Sequence, residues 1–498
     1  MHLVDRTRLA AVALATACVI VCAAAPAQAA EQHAYAAGYN YATPAVSIGK
    51  GDTLTFNNLD TAAKHDLVSD DGKFASALVG GGESSPVNGV QSLDPGAYKF
   101  HCSLHSWMHG VLQVGASGGG ASPGVPSAGS GGTLPTDSNP DPADIFPPAD
   151  PQPLGNADWH QYGKDGGNTR DGASGGPAPG DIPSLGVVWS FWSHNGDFTG
   201  TPVVAGAKLF AGSSGGWVYG LDAVTGKPLW AHKLGQPING SVAVDHGRVF
   251  VPVAQVNSPR VVALDANTGK VLWDRVIDNQ KDADVYGSPT VWNGAVYMGQ
   301  SAEYGETSDQ NVNARGSIVS LDARTGKIRW KDYTVPPGHD GGAVWTTPAV
   351  DPETGRLYVG TGNAYHAPAA DTTDSILAID ARSGNVLGHY QASPNDVWNG
   401  TNNAVGVDYD FGSSPNLFTG PDGRKLVGMG QKAGTYWAFD RQTLQPVWQT
   451  KAAQGAPSIG GIIGSTATDG KRVYGPDTVG GEAWAIGTGG QLNWVSAD

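Results

Sequence analysis

Cysteine is almost missing from this chain. The 498 residues contain three, and Cys18 and Cys22 both fall in an N-terminal apolar run. Residues 1–29 read as a secretory signal: Arg6 and Arg8 form a charged start, Leu9 to Ala25 the apolar run, and Ala27-Gln28-Ala29 a small-x-small cleavage site. An uncleaved anchor, or a lipoprotein acylated at Cys18 or Cys22, is the alternative. After cleavage only Cys102 remains, so an internal disulfide is excluded and the thiol needs another use, which a metal would supply. Charge is scarce as well, at 15% of residues, and it is unbalanced: 30 Lys and Arg against 45 Asp and Glu give −15. Removing the signal, with Arg6, Arg8 and Asp5, leaves about −16. An acidic surface argues against nucleic acid and anionic membranes as partners. No apolar run beyond the signal is long enough to span a bilayer. The mature chain is therefore expected to be secreted or extracytoplasmic, either periplasmic or at the cell surface. Glycine and proline are abundant, at 72 and 33, which suits many short strands joined by turns and disfavours helices.

The one surviving cysteine lies in Phe100 to Gly110, FHCSLHSWMHG, which also holds His105 and Met108; His65 stands 37 positions before Cys102. A thiolate, two imidazoles and a thioether form the ligand set of a blue-copper electron-transfer site. Cys102 supplies a strong, soft bond, His65 and His105 complete a trigonal plane, and Met108 gives a weak axial contact. The strand-and-turn signal DPGAYKF precedes them. His101 and His109 are read as neighbours rather than ligands. The competing reading is a structural cysteine beside two surface histidines. Residues 45–114 resemble the cupredoxins, with the short Cys-x2-His-x2-Met loop of amicyanin-like members. VSIGKGDTLTF looks like their early strand and HGVLQV like their last. The resemblance implies a β-sandwich over 30–114 holding type 1 copper.

Residues 115–154 are rich in Gly, Ser and Pro and cannot bury a core, so they read as a linker. From 155 the chain repeats. GWVYGLDAVTGKPLW, RVVALDANTGKVLW and GSIVSLDARTGKIRW end at Trp230, Trp273 and Trp330. SILAIDARSGNVLG ends at Gly388, where the Trp is lost, TYWAFDRQTLQPVW at Trp448 and EAWAIGTGGQLNW at Trp494. Each unit reads as strand, Asp-x-x-Thr-Gly turn, strand, and further strands between units make about four per repeat, a β-propeller blade. VVWSFW at 187–192 is read as a further outer strand closing the ring. No closing segment follows Trp494, so either the ring has fewer blades or the reading frame is cut short. The fold expected is all-β: a cupredoxin sandwich, then a propeller over 155–498.

The repeats resemble those of quinoprotein dehydrogenases, whose propellers carry pyrroloquinoline quinone on the axis, and in particular the polyvinyl-alcohol branch. The matching stretches are DWHQYGKDGGNTR, GGAVWTTPAVDPETGRLYVGTGNAY, SPNDVWN, DYDFGSSP and GQKAGTYWAFDR. The resemblance implies that Trp345 supports the planar quinone and that Lys432 contacts its oxygens. It makes Glu303 and Asn363 calcium ligands, with Glu306 a competitor for Glu303. It puts the general base in HAPAADTTDSILAID, where Asp371 fits the loop position and Asp374 the branch match. Two features depart from the family: no adjacent-cysteine disulfide is possible, and no Cys-x-x-Cys-His haem motif occurs. The function implied is oxidation of an alcohol, polymeric or secondary, with electrons passing from quinone to copper in the same chain and on to an external redox carrier. A sugar or aldehyde substrate is a variant of this. The alternative is a non-catalytic binding or scaffold propeller with an appended copper carrier.

Overall fold

The computed structural model describes residues 31–37, 40–41, 45–58, 64–115, 158–172, 176–178, 180–309, 311–400, 406–456 and 460–496. The signal expected at 1–29 and, apart from residue 115, the linker expected at 115–154 lie outside the described residues. The chain divides into two compact units, Met1–Ser122 and Pro123–Asp498. Both are built of strands; the one α-helix among the described residues is α1, Glu303–Ser308.

The first unit is a sandwich of two four-stranded sheets. Its strands are β1 Glu31–Ala37, β2 Asn40–Tyr41, β3 Ala45–Gly49, β4 Thr53–Asn58, β5 Val68–Ser69, β6 Ser84–Pro86, β7 Gly96–Cys102 and β8 His105–Gly115. One sheet runs β2-β1-β4-β6 and the other β3-β8-β7-β5. In β4, Leu54, Phe56 and Asn58 are buried while the residues between them are half-buried, the period of two that a sheet with one inward face requires. The core between the sheets includes Phe56, Leu67, Phe100 and Leu112. β7 and β8 pair antiparallel through the turn that separates them, with Cys102 opposite His105.

The second unit contains six consecutive four-stranded antiparallel sheets, at 203–233, 243–276, 290–333, 349–391, 416–451 and 467–495. They are the blades of a propeller. Their first, short strands are innermost and touch their counterparts in the next blade, and apolar clusters fill each space between successive blades. The repeated turn explains the regular docking. In blade 2, Asp265 Oδ1 accepts hydrogen bonds from the amides of Asn267 and Thr268 and from the Thr268 hydroxyl. The turn leaves the Ala266 carbonyl to accept the indole N–H of Trp230 from blade 1 at 3.0 Å. That ring lies over Gly269, whose φ of 70° and lack of a Cβ are both needed: a Cβ would meet Trp230 Cε3 at 2.5 Å. Trp273, Trp330 and Trp448 dock in the same way on Ala323, Ala381 and Thr488. With roughly 200 Å² of ring at about 25 cal/mol per Å², each docking is worth on the order of 5 kcal/mol before entropy is counted.

Two irregularities follow from the same geometry. Where the Trp is lost at Gly388, the turn glycine of the next blade is replaced by Leu444, which takes φ 55° and is buried. The apolar bulk has moved from one side of the junction to the other. VVWSFW at 187–192, expected as an outer strand, pairs with no strand in the structure. Trp189 nevertheless donates to the Ala223 carbonyl at 3.1 Å and lies over Gly226, the same docking from an isolated segment. Side-chain docking there does not need a ladder, so the Trp docks although the strand expected there does not form.

Residues 159–169 bind every blade in turn. The carbonyls of Trp159, His160, Gly166, Gly167 and Thr169, with the Gln161 side-chain oxygen, accept the amides of Val204, Val244, Val350, Leu417, Thr468 and Val291 respectively. Each donor is the second residue of an innermost strand. Asn168 is buried at the centre and donates to the carbonyls of Thr347, Pro348 and Pro415. One short segment therefore satisfies an innermost-strand amide in each of the six described blades.

Candidate metal centre and candidate active site

In the sandwich, the β7–β8 turn and the loop after β4 deliver three ligand-type atoms to one place. Cys102 Sγ lies 3.8 Å from His65 Nδ1 and 3.5 Å from His105 Nδ1, and the three mutually lie within 4.8 Å. Among the described residues this is the one group of three or more His, Cys, Asp or Glu side chains so arranged. His65 and Cys102 are buried, and His105 is half-buried beside exposed Leu104. Met108 is buried in the same core cluster as Cys102. A thiolate with two imidazoles aimed at it fits a soft, redox-active metal such as copper. His101 and His109 stand apart: His101 Nδ1 pairs with Asp70 at 2.7 Å, and His109 is exposed.

In the propeller, the expected residues converge on one that was not expected. Asp410 precedes the innermost strand of blade 5. Its Oδ2 accepts from Lys432 Nζ at 2.9 Å and from the Trp345 indole at 3.1 Å, and its Oδ1 accepts from the Asn363 amide at 3.0 Å. Lys432 also pairs with Asp408 at 2.7 Å and lies 5.5 Å from the centre of the Trp345 ring. Lys432, Asp408 and Asp410 are all buried, whereas Trp345 keeps part of its surface open. Backbone shape permits the convergence: a Cβ on Gly362 would come within 3.2 Å of the Asp410 carboxylate. Asp396 holds the Asp410 loop from behind, accepting the amides of Val407, Asp408 and Tyr409.

The two expected bases separate. Asp371 does not join the cluster; its side chain is 80% exposed and lies 3.7 Å from His389. Asp374 is fully buried in left-handed backbone (φ 48°), and neither carboxyl oxygen has a hydrogen-bond partner. Its amide donates to the Gly362 carbonyl, which puts it behind Asp410. Burial pushes the Asp374 carboxyl well above the usual range. The charges of Asp410, Asp396 and Asp408 push the same way, against Lys432. The folded protein then holds this proton more tightly than the unfolded chain does. The stability it contributes is complete below the ordinary value of 3.8 and is lost as pH rises through the raised value. Asp374→Asn is neutral at every pH, so its denaturation midpoint should rise relative to wild type as pH increases from the ordinary value of 3.8 through the raised one. An offset that stays constant across that range would refute the assignment.

Asn363 commits its side-chain nitrogen to the carbonyls of Ala364 and Trp398, so what it offers a ligand is its oxygen. Glu303 begins α1, but its side chain lies outside the described residues. Glu306, its competitor, is buried in the same helix. The described donors therefore do not complete a cage for a hard cation such as calcium. For a planar, anionic quinone the fit is better. The half-open Trp345 face and the buried Lys432 ammonium supply a flat surface and a cation together. Asp410 and Asp408 escaped the sequence reading, though the signal was present: Asp-Tyr-Asp stands just ahead of the Ser-Pro that opens an innermost strand, as Trp345 stands ahead of Thr-Pro.

Residues 181–450, more than half of the chain, match the family described as outer membrane protein assembly factor BamB, and residues 9–114 match the cupredoxin-like domain. A polyvinylalcohol dehydrogenase from a Pseudomonas species is 32% identical over 348 residues, covering 64% of this chain and 54% of that protein. One from a Sphingopyxis species is 33% identical over 330 residues, covering 59% and 50%. The chain thus spans about half the length of these relatives. The crystal structure of the quinohemoprotein alcohol dehydrogenase from Comamonas testosteroni superposes with a TM-score of 0.54 at 22% identity, covering 64% of this chain and 57% of that one. This likeness shows a common propeller fold.

Proposed function

Because the chain belongs to the PQQ-type propeller family described as outer membrane protein assembly factor BamB, and carries a cupredoxin-like domain ahead of the propeller, we propose that it is an extracytoplasmic alcohol dehydrogenase using pyrroloquinoline quinone. The observation that carries this reading is the convergence of Trp345, Asn363 and Lys432 on Asp410. Burying a lysine among carboxylates costs several kcal/mol per ion in desolvation, which well-packed apolar residues would avoid, so a scaffold has no need for one. The relatives named for polyvinyl alcohol and other alcohols support the reaction class.

In this reading Trp345 and Lys432 hold the quinone, and the quinone when bound supplies a two-electron hydride acceptor. Asn363 presents its amide oxygen at the site, its nitrogen being held by the Ala364 and Trp398 carbonyls. Asp410 takes the hydroxyl proton of the alcohol as hydride leaves the carbinol carbon, in place of the Asp371 and Asp374 that the sequence suggested. Geometry favours it: Asp410 touches the other site residues, Asp371 faces solvent, and Asp374 is sealed from solvent with its carboxyl pushed well above the usual range. Lys432 balances the Asp410 charge before the transfer and remains paired with Asp408 after it. His65, Cys102, His105 and Met108 hold copper, which when bound supplies one-electron transfer. The proposed division of labour is oxidation at the propeller and relay through the copper unit to an external carrier. The test is to load the full-length protein with the quinone and Ca²⁺ and offer alcohols with an artificial dye. Alcohol-dependent dye bleaching is expected. Loaded protein that binds the quinone and reduces no dye with any alcohol would refute the proposal.

A further inference from the structure

Two histidines stand opposite each other on the side of the sandwich turned away from its core, and the copper centre uses neither. His101 of β7 and His109 of β8 are direct cross-strand partners in the antiparallel register. Side chains alternate along both strands. Phe100, Cys102, Met108 and Gly110 are buried, whereas His101 is half-buried and His109 exposed. The two ring centres lie 6.4 Å apart. Asp70 follows β5, the strand on the other side of β7, and its Oδ1 lies 2.7 Å from His101 Nδ1. An ionised carboxylate only accepts, so Nδ1 carries the donated proton and Nε2 is the nitrogen left to bind something else.

We propose that His101 and His109 form a second metal site in this unit, for a divalent cation that prefers imidazole, namely Cu²⁺ or Zn²⁺. Such ions favour ring nitrogen, whereas calcium and magnesium favour oxygen. A ligating histidine ordinarily donates its other ring N–H to a carboxylate, which fixes the tautomer and makes the binding nitrogen more basic. Asp70 does this for His101. Spacing gives the second argument. With bonds of about 2.0 Å and each ring centre roughly 1.1 Å behind its nitrogen, two imidazoles sharing an ion have centres roughly 5 to 6 Å apart. The 6.4 Å between these rings closes to that range by a rotation of the exposed His109 side chain. Water completes the coordination of an ion with only two protein ligands, so this ion exchanges more readily than one held by Cys102, His65 and His105. The proposal does not rest on the copper reading, because it uses none of those three side chains.

The experiment is a calorimetric titration of Zn²⁺ into the full-length protein as wild type, His109→Gln, His101→Gln and Asp70→Asn. Zn²⁺ can also enter the Cys102 centre, so the site is read as a difference between proteins. Wild type should bind one equivalent more than His109→Gln. His109 is exposed, so its replacement should leave the fold intact, and His101→Gln supplies the same comparison should His109→Gln fold poorly. Asp70→Asn should keep the extra equivalent and bind it roughly 10- to 100-fold more weakly, the usual cost of losing the carboxylate behind a ligating histidine. The same number of equivalents at the same affinity in wild type and in both histidine variants overturns the site. An unchanged affinity in Asp70→Asn overturns the part given to Asp70.

Discussion

Asp410→Asn should lower alcohol-dependent dye reduction by the quinone-loaded protein by roughly 10²- to 10⁴-fold, the usual contribution of a positioned general base. The substitution is isosteric. It keeps an oxygen for the Asn363 amide but can no longer take a proton, and it exchanges an acceptor beside Lys432 and Trp345 for an amide. The fold should survive, because Asp396 still holds the loop through three amides and Lys432 still pairs with Asp408. Asp371→Asn alters a side chain that lies in solvent and should leave turnover near wild type. Steady-state rates at saturating alcohol, with quinone content measured in each variant, separate loss of chemistry from loss of cofactor. Turnover of Asp410→Asn within a few-fold of wild type at equal quinone content would remove Asp410 from the reaction.

The second large effect concerns the other unit. Cys102→Ser should abolish the intense visible absorption of the copper-loaded protein, because the charge-transfer band needs a thiolate and a hydroxyl is a poor, hard substitute. Sγ is the atom on which both histidine Nδ1 atoms bear, at 3.8 and 3.5 Å, so affinity for copper should fall as well. The serine is close in size, so the buried core around Phe100 and Leu112 should remain packed. The propeller is a separate compact unit and should unfold at an unchanged denaturant concentration. A Cys102→Ser protein that stays coloured with Cu²⁺ would move the metal elsewhere.

The readable and unreadable parts of this chain divide along a physical line. A copper site is built from rare side chains, and three of its four expected residues fall within seven positions on one turn. The ligand types and the local strand pairing together were therefore enough to anticipate that His65, Cys102 and His105 would meet. The blade repeat was equally open to reading, since each Trp and each turn glycine is set by its own repeat. Leu444 shows the limit of that rule: its burial makes sense only once Gly388 is seen to have given up the matching ring.

The sequence by itself determined the two kinds of unit, the repeat and the thiol-and-imidazole set that the fold brings together, because those follow from residue type and pattern, while Trp345, Asn363 and Lys432 are singled out by family resemblance alone. Tertiary structure decided where the charge sits. Asp371 and Asp374 are three residues apart, yet one faces water and the other is sealed from it, and Asp410 came to the centre from a different blade. Burial and long-range approach set which carboxylate meets the other site residues and which is sealed away from them, and neither is encoded in local pattern.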